Sequence, residues 1–241
     1  MGTLSRRALL ASALAASGLL ARYPPLVAQS AEEPGTPEAA FRRLLEGNNR
    51  FVTGAQPRGD RSPARRQETA ERQRPFAAVL GCSDARVPPE ILFDQGIGDL
   101  FVLRIAGNVL EPLTLGALEF AVSRFDLPLI VVLGHERCET IQTALETMTS
   151  GAQAEGPLAA VFELLRQPLQ LARLRVQLAA LRTPPEPEID LLEEAIRANV
   201  AQVVTTLRRS QPILYPRLQR DQLRVVGLRY ELRSGGVSIV A

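Results

Sequence analysis

The sequence predicts an α/β fold with a mainly parallel central sheet flanked by helices. Short apolar runs at residues 76–80, 100–105 and 129–133 are typical of strands that are buried on both faces. A helical pattern at residues 113–125 separates the second run from the third. Strands that alternate with helices in this way form parallel sheets, because each helix carries the chain back to the same edge of the sheet.

The segment before the first strand predicts one long helix and a loop. Thr36 and Pro37 are typical of a helix N-terminus, and we expect that helix to end at Gly47. Residues 50–74 are rich in Arg, Pro and Gln, and we expect a solvated loop with a short helix.

The segment after the third strand predicts two helices and a closing pair of strands. Residues 158–181 are largely helical in pattern, with Pro168 expected to kink or break the helix. Apolar residues recur at helical spacing over residues 191–207. Residues 223–232 and 237–240 are expected to form strands around a glycine-containing turn.

Composition and charge exclude several classes of protein. The chain has 241 residues, of which 46% are hydrophobic and 22% are charged, so it can bury a full core. This composition excludes disordered, fibrous and multi-span membrane proteins. The net charge of +2 depends on three arginines among the first thirty residues, so no single-sign surface is expected and we predict no nucleic-acid partner.

Residues 1–30 are expected to form an export signal. A positive head with Arg6 and Arg7 precedes an apolar run at residues 8–21, which is too short to span a bilayer comfortably. The paired arginines resemble a twin-arginine signal; an ordinary secretory peptide is the alternative, and a permanent N-terminal anchor is less favoured. We therefore expect an exported, periplasmic bacterial protein with no stable membrane anchor. A disordered tether at residues 31–36 would precede a single domain at residues 37–241.

Three residues of metal-binding types follow two of the predicted strands. Cys82 comes just after the first strand, and His135 and Cys138 come just after the third; they are the only Cys and His residues in the chain. The carboxyl ends of parallel strands meet at one edge, so these side chains could form a Cys₂His zinc site with an open fourth position. A disulfide, or buried thiols beside a core histidine, is the alternative.

The segments around these residues resemble the β-class carbonic anhydrases. The resemblance covers most of the chain after residue 30 and is most specific in the Cys-x-Asp-x-Arg block and the His-x-x-Cys that follows it. Matching segments include Leu45-Glu46-Gly47-Asn48, Gly81-Cys82-Ser83-Asp84-Ala85-Arg86, Phe93-Asp94-Gln95-Gly96, Ala106-Gly107-Asn108, Gly134-His135-Glu136-Arg137-Cys138 and Val225-Val226-Gly227.

The resemblance implies a β-carbonic-anhydrase-like fold and reversible hydration of CO₂ to bicarbonate and a proton. It implies one Zn²⁺ per subunit, bound by Cys82, His135 and Cys138. Asp84 and Arg86 would form the catalytic pair, with a surface ion pair as the alternative. The resemblance also places Gln73 against the substrate and Phe101 in an apolar wall, in a homodimer or a larger even homo-oligomer.

Two residues depart from the pattern of the family. Ala85 stands where the family usually has Ser, and Glu139 stands where it usually has Gly. A Glu139 side chain that points inward would block the metal site, whereas one that points outward would lie in the first turn of a helix, and we expect the outward arrangement. The alternatives to CO₂ hydration are a noncatalytic zinc-binding homologue and a zinc hydrolase of carbon disulfide or carbonyl sulfide.

Overall fold

A five-stranded sheet forms the centre of the domain. The computed structural model describes residues 35–182 and 189–241. The strands are β1 (Ala77–Gly81), β2 (Leu100–Arg104), β3 (Leu129–His135), β4 (Arg224–Tyr230) and β5 (Val237–Ile239). Their order across the sheet is β2-β1-β3-β4-β5, in which the first four strands are parallel and β5 is antiparallel to β4. The sheet is therefore mainly parallel, as the sequence predicts.

Helices cover both faces of this sheet. In the described ranges they are α1 (Pro37–Thr53), α2 (Pro63–Glu68), α3 (Pro89–Leu92), α4 (Pro112–Phe125), α5 (Glu139–Ser150), α6 (Leu158–Ala180), α7 (Leu191–Arg208) and α8 (Leu214–Gln219). A short 3₁₀ turn at Ala106–Asn108 follows β2.

Alternate residues of the buried strands pack against different helices. Val79 and Val131 share a core cluster with Phe41 of α1, whereas Leu80 and Val132 lie in a second cluster on the opposite face. The second cluster includes apolar residues of α4 and α7. Because both faces are covered, the strands are continuous apolar runs rather than alternating ones.

The first helix is longer than the sequence predicts, because Gly47 does not end it. Helix α1 continues to Thr53, and Gly54 ends it in the left-handed conformation, with φ of 64°. A Cβ atom on Gly47 would lie 1.8 Å from the carbonyl oxygen of Phe93. Gly47 therefore permits close contact between α1 and a neighbouring loop, and the expectation that it stops the helix was wrong.

Pro168 does not break its helix. Helix α6 is continuous from Leu158 to Ala180 with Pro168 inside it. The ring of Pro168 is buried together with the side chains of Leu165 and Leu169. Burial of this apolar face holds the helix together across the backbone position that lacks an N–H group.

The remaining predictions of secondary structure agree with the structure, apart from those outside the described residues. The three apolar runs, the helix at residues 113–125, the short helix before β1 and the closing β4–β5 pair are all confirmed. The export signal at residues 1–30 and the first four residues of the tether lie outside the described residues. Within the described ranges, no helix has both the length and the apolarity that a membrane span requires.

Close packing of α7 on the sheet predicts a strong effect of Gly227→Ala. A Cβ at Gly227 would lie 2.6 Å from Val200 Cγ1 and 3.0 Å from Ala241 Cβ. We expect the free energy of unfolding to fall by about 1–3 kcal/mol, as for other overpacked cores, in urea titrations. Gly116→Ala is the matched control: that helical position has open space, and the change should stabilise the protein by about 0.5–1 kcal/mol. Equal effects of the two substitutions would contradict the packing argument.

Candidate metal centre

The pairing of β1 with β3 brings the predicted metal ligands together. Gly81 pairs with Leu133 in the parallel register, so the ends of the two strands lie side by side. Cys82 directly follows β1, His135 is the last residue of β3, and Cys138 immediately precedes α5. The Nδ1 or Nε2 atom of the histidine and the two sulfur atoms all lie within 4.8 Å of one another.

These three side chains are buried. The exposed fractions of Cys82, His135 and Cys138 are 3%, 0% and 1%. Both cysteines are free thiols, with their sulfur atoms 3.9 Å apart, so the structure does not contain the disulfide that the sequence left open. Buried free thiols so near an imidazole form a donor set suited to Zn²⁺.

The histidine ring is arranged as a metal ligand. His135 Nδ1 lies 3.0 Å from the carbonyl oxygen of Glu136. A carbonyl only accepts, so Nδ1 carries the proton and Nε2 has a free lone pair. Among the described residues, the buried Nε2 has no hydrogen-bond partner. The site therefore fits a zinc ion: Nε2 is free to bind the metal, and Nδ1 donates to a carbonyl oxygen, as the second nitrogen of a ligating histidine normally does.

Ionisation of one thiol disfavours ionisation of the other. The hydrogen bond from Cys138 is the main reason that the pKa of Cys82 is lowered, against the effect of burial. The pKa of Cys138 is raised, first by its hydrogen bond to Cys82 and then by burial. A second thiolate is therefore unfavourable beside the first unless a cation lies between them. A bound divalent cation would remove this conflict.

Asp84 and Arg86 form a close ion pair beside these ligands. Asp84 Oδ1 accepts from the backbone N–H and the Nε–H of Arg86, each at 2.9 Å, and Oδ2 accepts from Nη2 at 2.6 Å. The hydrogen bond to the Arg86 side chain lowers the pKa of Asp84 to about 2, despite partial burial. Asp84 Oδ2 lies 3.9 Å from His135 Nε2. An ionised carboxylate thus lies next to the unpaired ring nitrogen.

Arg86 also links the two segments of the site. Its Nη2 atom donates to the carbonyl oxygen of Arg137 at 3.3 Å. Arg137 lies between His135 and Cys138 and has a φ of 51°, in the left-handed region that non-glycine residues rarely adopt. This contact therefore connects the Asp84 loop to the strained turn that carries the other two ligands.

Glu139 points outward, as the sequence analysis expects. It is the first residue of α5, and its side chain is 84% exposed. Its Oε1 atom lies 3.9 Å from Arg86 Nη2. The carboxylate thus faces solvent near Arg86, and an acidic residue suits the N-terminus of a helix.

Sequence reasoning missed Arg104, the last residue of β2. Its Nε–H donates to the carbonyl oxygen of Cys82 at 2.9 Å, and its Nη2 donates to the carbonyl oxygen of Asp84. Arg104 therefore holds the backbone on both sides of Ser83. The signal was available in the sequence: Arg104 ends an apolar strand at the same edge as the ligands.

Gln73 and Phe101 lie at the other end of the strands. Gln73 is exposed and comes four residues before β1, on a cleft of about 710 Å³ that Phe120 and Arg124 also line. Phe101 pairs with Ala78 near the start of β1, and its ring centroid lies 6.2 Å from that of Phe125. At about 3.3 Å per residue, β1 separates this end from Cys82 by roughly 13 Å. Within one chain the structure does not bring Gln73 and Phe101 to the ligands.

Comparisons with known proteins agree with this geometry. The protein-family model described as carbonic anhydrase matches residues 77–237 of this chain. The chain is 35% identical over 199 residues to carbonic anhydrase 2 of Mycobacterium tuberculosis, covering 83% of this chain and 90% of that one. It is 34% identical over 203 residues to a carbonic anhydrase of Mycolicibacterium smegmatis, covering 84% and 93%.

Solved structures show the same fold. A Coccomyxa β-carbonic anhydrase in complex with acetazolamide is 25% identical with a TM-score of 0.61, covering 72% of this chain and 75% of that one. The β-carbonic anhydrase CafA of Aspergillus fumigatus is also 25% identical with a TM-score of 0.61, covering 84% and 89%. By its sequence, its fold and its buried Cys₂His cluster, the chain belongs to the β-class carbonic anhydrase family.

Proposed function

We propose that this protein is a zinc-dependent carbonic anhydrase that reversibly hydrates CO₂ to bicarbonate and a proton. The observation that carries the proposal is the buried cluster of Cys82, His135 and Cys138, with an unpaired His135 Nε2 and an ionised Asp84 beside it. Carbonic anhydrases that match most of the chain support the same activity. Zn²⁺ bound by the three ligands would act as a Lewis acid that makes a water molecule nucleophilic near neutral pH.

Asp84 is the residue that orients the reacting water. Arg86 uses three donors to hold the carboxylate in one orientation, with Oδ2 facing the metal ligands. Each carboxylate oxygen has more than one lone pair, so Asp84 can still accept a hydrogen bond from the water. That bond would direct an oxygen lone pair of the water toward the carbon of CO₂.

The proton must leave the site without a second histidine. The chain has one His, and it is a metal ligand in this proposal. We therefore expect the proton to pass to external buffer, or through carboxylate and tyrosine side chains. Turnover should rise with buffer concentration at constant pH, and a rate independent of buffer would contradict this route.

The activity is tested by measuring bound zinc and following CO₂ hydration by stopped flow from neutral to alkaline pH. We expect one zinc per chain and a rate that increases with pH. Arg86 lowers the pKa of Asp84 to about 2, so this carboxylate stays ionised and the change in rate comes from another group. Full zinc with no hydration at any pH would contradict the proposal, and activity on carbon disulfide or carbonyl sulfide would then identify a hydrolase.

Asp84→Asn should retain zinc and lose activity. The amide keeps the shape of the side chain but has one acceptor oxygen instead of two and cannot form the ion pair, so we expect kcat/KM to fall about 100-fold. Asp126→Asn is the matched control, because Asp126 also pairs with an arginine, Arg217, and is 85% exposed. An Asp84→Asn protein as active as the control would remove Asp84 from the mechanism.

We propose that Gln73 and Phe101 serve the metal site of a second copy in a homodimer or larger even oligomer. The support is their position at the far end of β1 and β2 from the ligands of their own chain. An apolar ring and a neutral amide suit CO₂, which has no charge to recognise.

Complementation between two inactive variants tests this arrangement. Gln73→Leu leaves the metal ligands intact, whereas Cys82→Ser leaves Gln73 intact. If Gln73 acts across the interface, mixed dimers restore one complete site, and about a quarter of all sites become active at a random 1:1 mixture. The unmixed variants are the controls, and a mixture no more active than their mean would show that Gln73 does not act in this way.

Export to the periplasm remains part of the proposal and rests on the sequence of residues 1–30. Paired Arg6 and Arg7 before an apolar run support a twin-arginine signal. We expect the Arg6→Lys, Arg7→Lys double variant to stay in the cytoplasm while the wild type is recovered from the periplasm. Normal export of the double variant would favour an ordinary secretory peptide.

A further inference from the structure

A buried asparagine on α7 is connected to the metal ligand Cys82 through one glycine. Asn199 is 2% exposed, whereas its helical neighbours on the buried face, including Ile196 and Val200, are apolar. A polar side chain at such a position is unfavourable unless it is hydrogen-bonded. Asn199 Nδ2 donates to the carbonyl oxygen of Gly107 at 2.8 Å.

Gly107 contacts the sulfur of Cys82 on its other side. Its backbone N–H points to Cys82 Sγ, with the nitrogen 3.3 Å from the sulfur. Gly107 has a φ of 67°, and a Cβ there would lie 3.3 Å from Thr140 Cγ2 and 3.4 Å from Leu165 Cδ1. The residue therefore adopts a conformation that strongly favours glycine and that turns its N–H toward the sulfur.

The two hydrogen bonds act on the same residue. The hydrogen bond from Asn199 holds the carbonyl group of Gly107 in place. Because the backbone of Gly107 is held there, its N–H group stays directed at the sulfur of Cys82. An N–H donor withdraws electron density from a metal-bound thiolate and orients its lone pairs, as partners of metal ligands commonly do. Arg104 holds the Cys82 backbone, whereas the Gly107 N–H and the Cys138 thiol both contact the sulfur itself.

We propose that Asn199 is a positioning residue that controls the sulfur donor of Cys82 through Gly107. The inference rests on the proposed metal site and adds to it a residue on a distant helix, 117 positions along the chain from the ligand. Asn199 does not touch substrate or metal. Its effect is on the electronic character and the orientation of one ligand.

The test uses Co²⁺ in place of zinc, because its spectrum reports on the thiolate ligands directly. Asn199→Leu has a similar branched shape but no donor. Loss of the N–H bond raises the energy of the sulfur lone pairs, so the sulfur-to-cobalt charge-transfer band should move to longer wavelength. We also expect the zinc dissociation constant, measured by competition with a chelator, to increase about tenfold or more.

A neighbouring substitution separates this effect from general destabilisation. Val203 lies one turn further along α7 and is 5% exposed, in the cluster on the sheet rather than among the metal ligands. Val203→Ala should lower the melting temperature and leave both the band and the zinc affinity unchanged. An Asn199→Leu protein with the same band and affinity as the wild type would overturn the proposal.

Further outcomes separate a positioning role from a structural one. If Asn199→Leu packs poorly, Asn199→Asp replaces it, because it also lacks the amide donor and should shift the band. If neither variant folds while Val203→Ala does, the role of Asn199 is purely structural and the proposal is wrong. A wild-type protein with no thiolate charge-transfer band would overturn the proposed metal site together with this inference. A normal wild-type band that neither variant alters would overturn the inference alone.

Discussion

The parallel pairing of β1 with β3 is the interaction on which the rest of the structure depends. It places residues 53 positions apart, Cys82 and His135, at one edge of the sheet. A one-residue slip of register would turn every side chain of a strand to the opposite face. Both faces are fully buried, so such a slip would also disrupt two cores at once. The burial that fixes the sheet therefore also fixes the positions of the ligands.

Charge balance explains why the site needs so many partners. Two thiols in a buried site cannot both ionise easily, and the carboxylate of Asp84 adds a further negative charge beside them. Arg86 compensates the carboxylate on the solvent side. A divalent cation would compensate the sulfurs. Asp84 therefore lies between the guanidinium of Arg86 and the place where that cation would bind.

Backbone contacts provide the rigidity that this arrangement requires. Arg104 binds the carbonyl groups of Cys82 and Asp84, and Arg86 reaches the carbonyl of Arg137. Gly107 donates its backbone N–H to Cys82 Sγ from a left-handed conformation that favours glycine. Each of these contacts joins segments that are far apart in the chain. The site is therefore held by the loops at the ends of three strands rather than by any one motif.

The sequence alone determined the α/β class and the strands, because apolar runs are local signals. The family resemblance implied the three ligands, but only the fold brought them together as free thiols and an imidazole rather than a disulfide. The roles of Gly47 and Pro168 were decided by packing: one allows a close contact and the other is buried within a continuous helix. Only the tertiary structure placed Gln73 and Phe101 away from their own metal ligands, outward-facing Glu139 beside Arg86, and Asn199 behind Gly107. These relations depend on distances between remote segments, and such distances are set by the folded core rather than by local sequence.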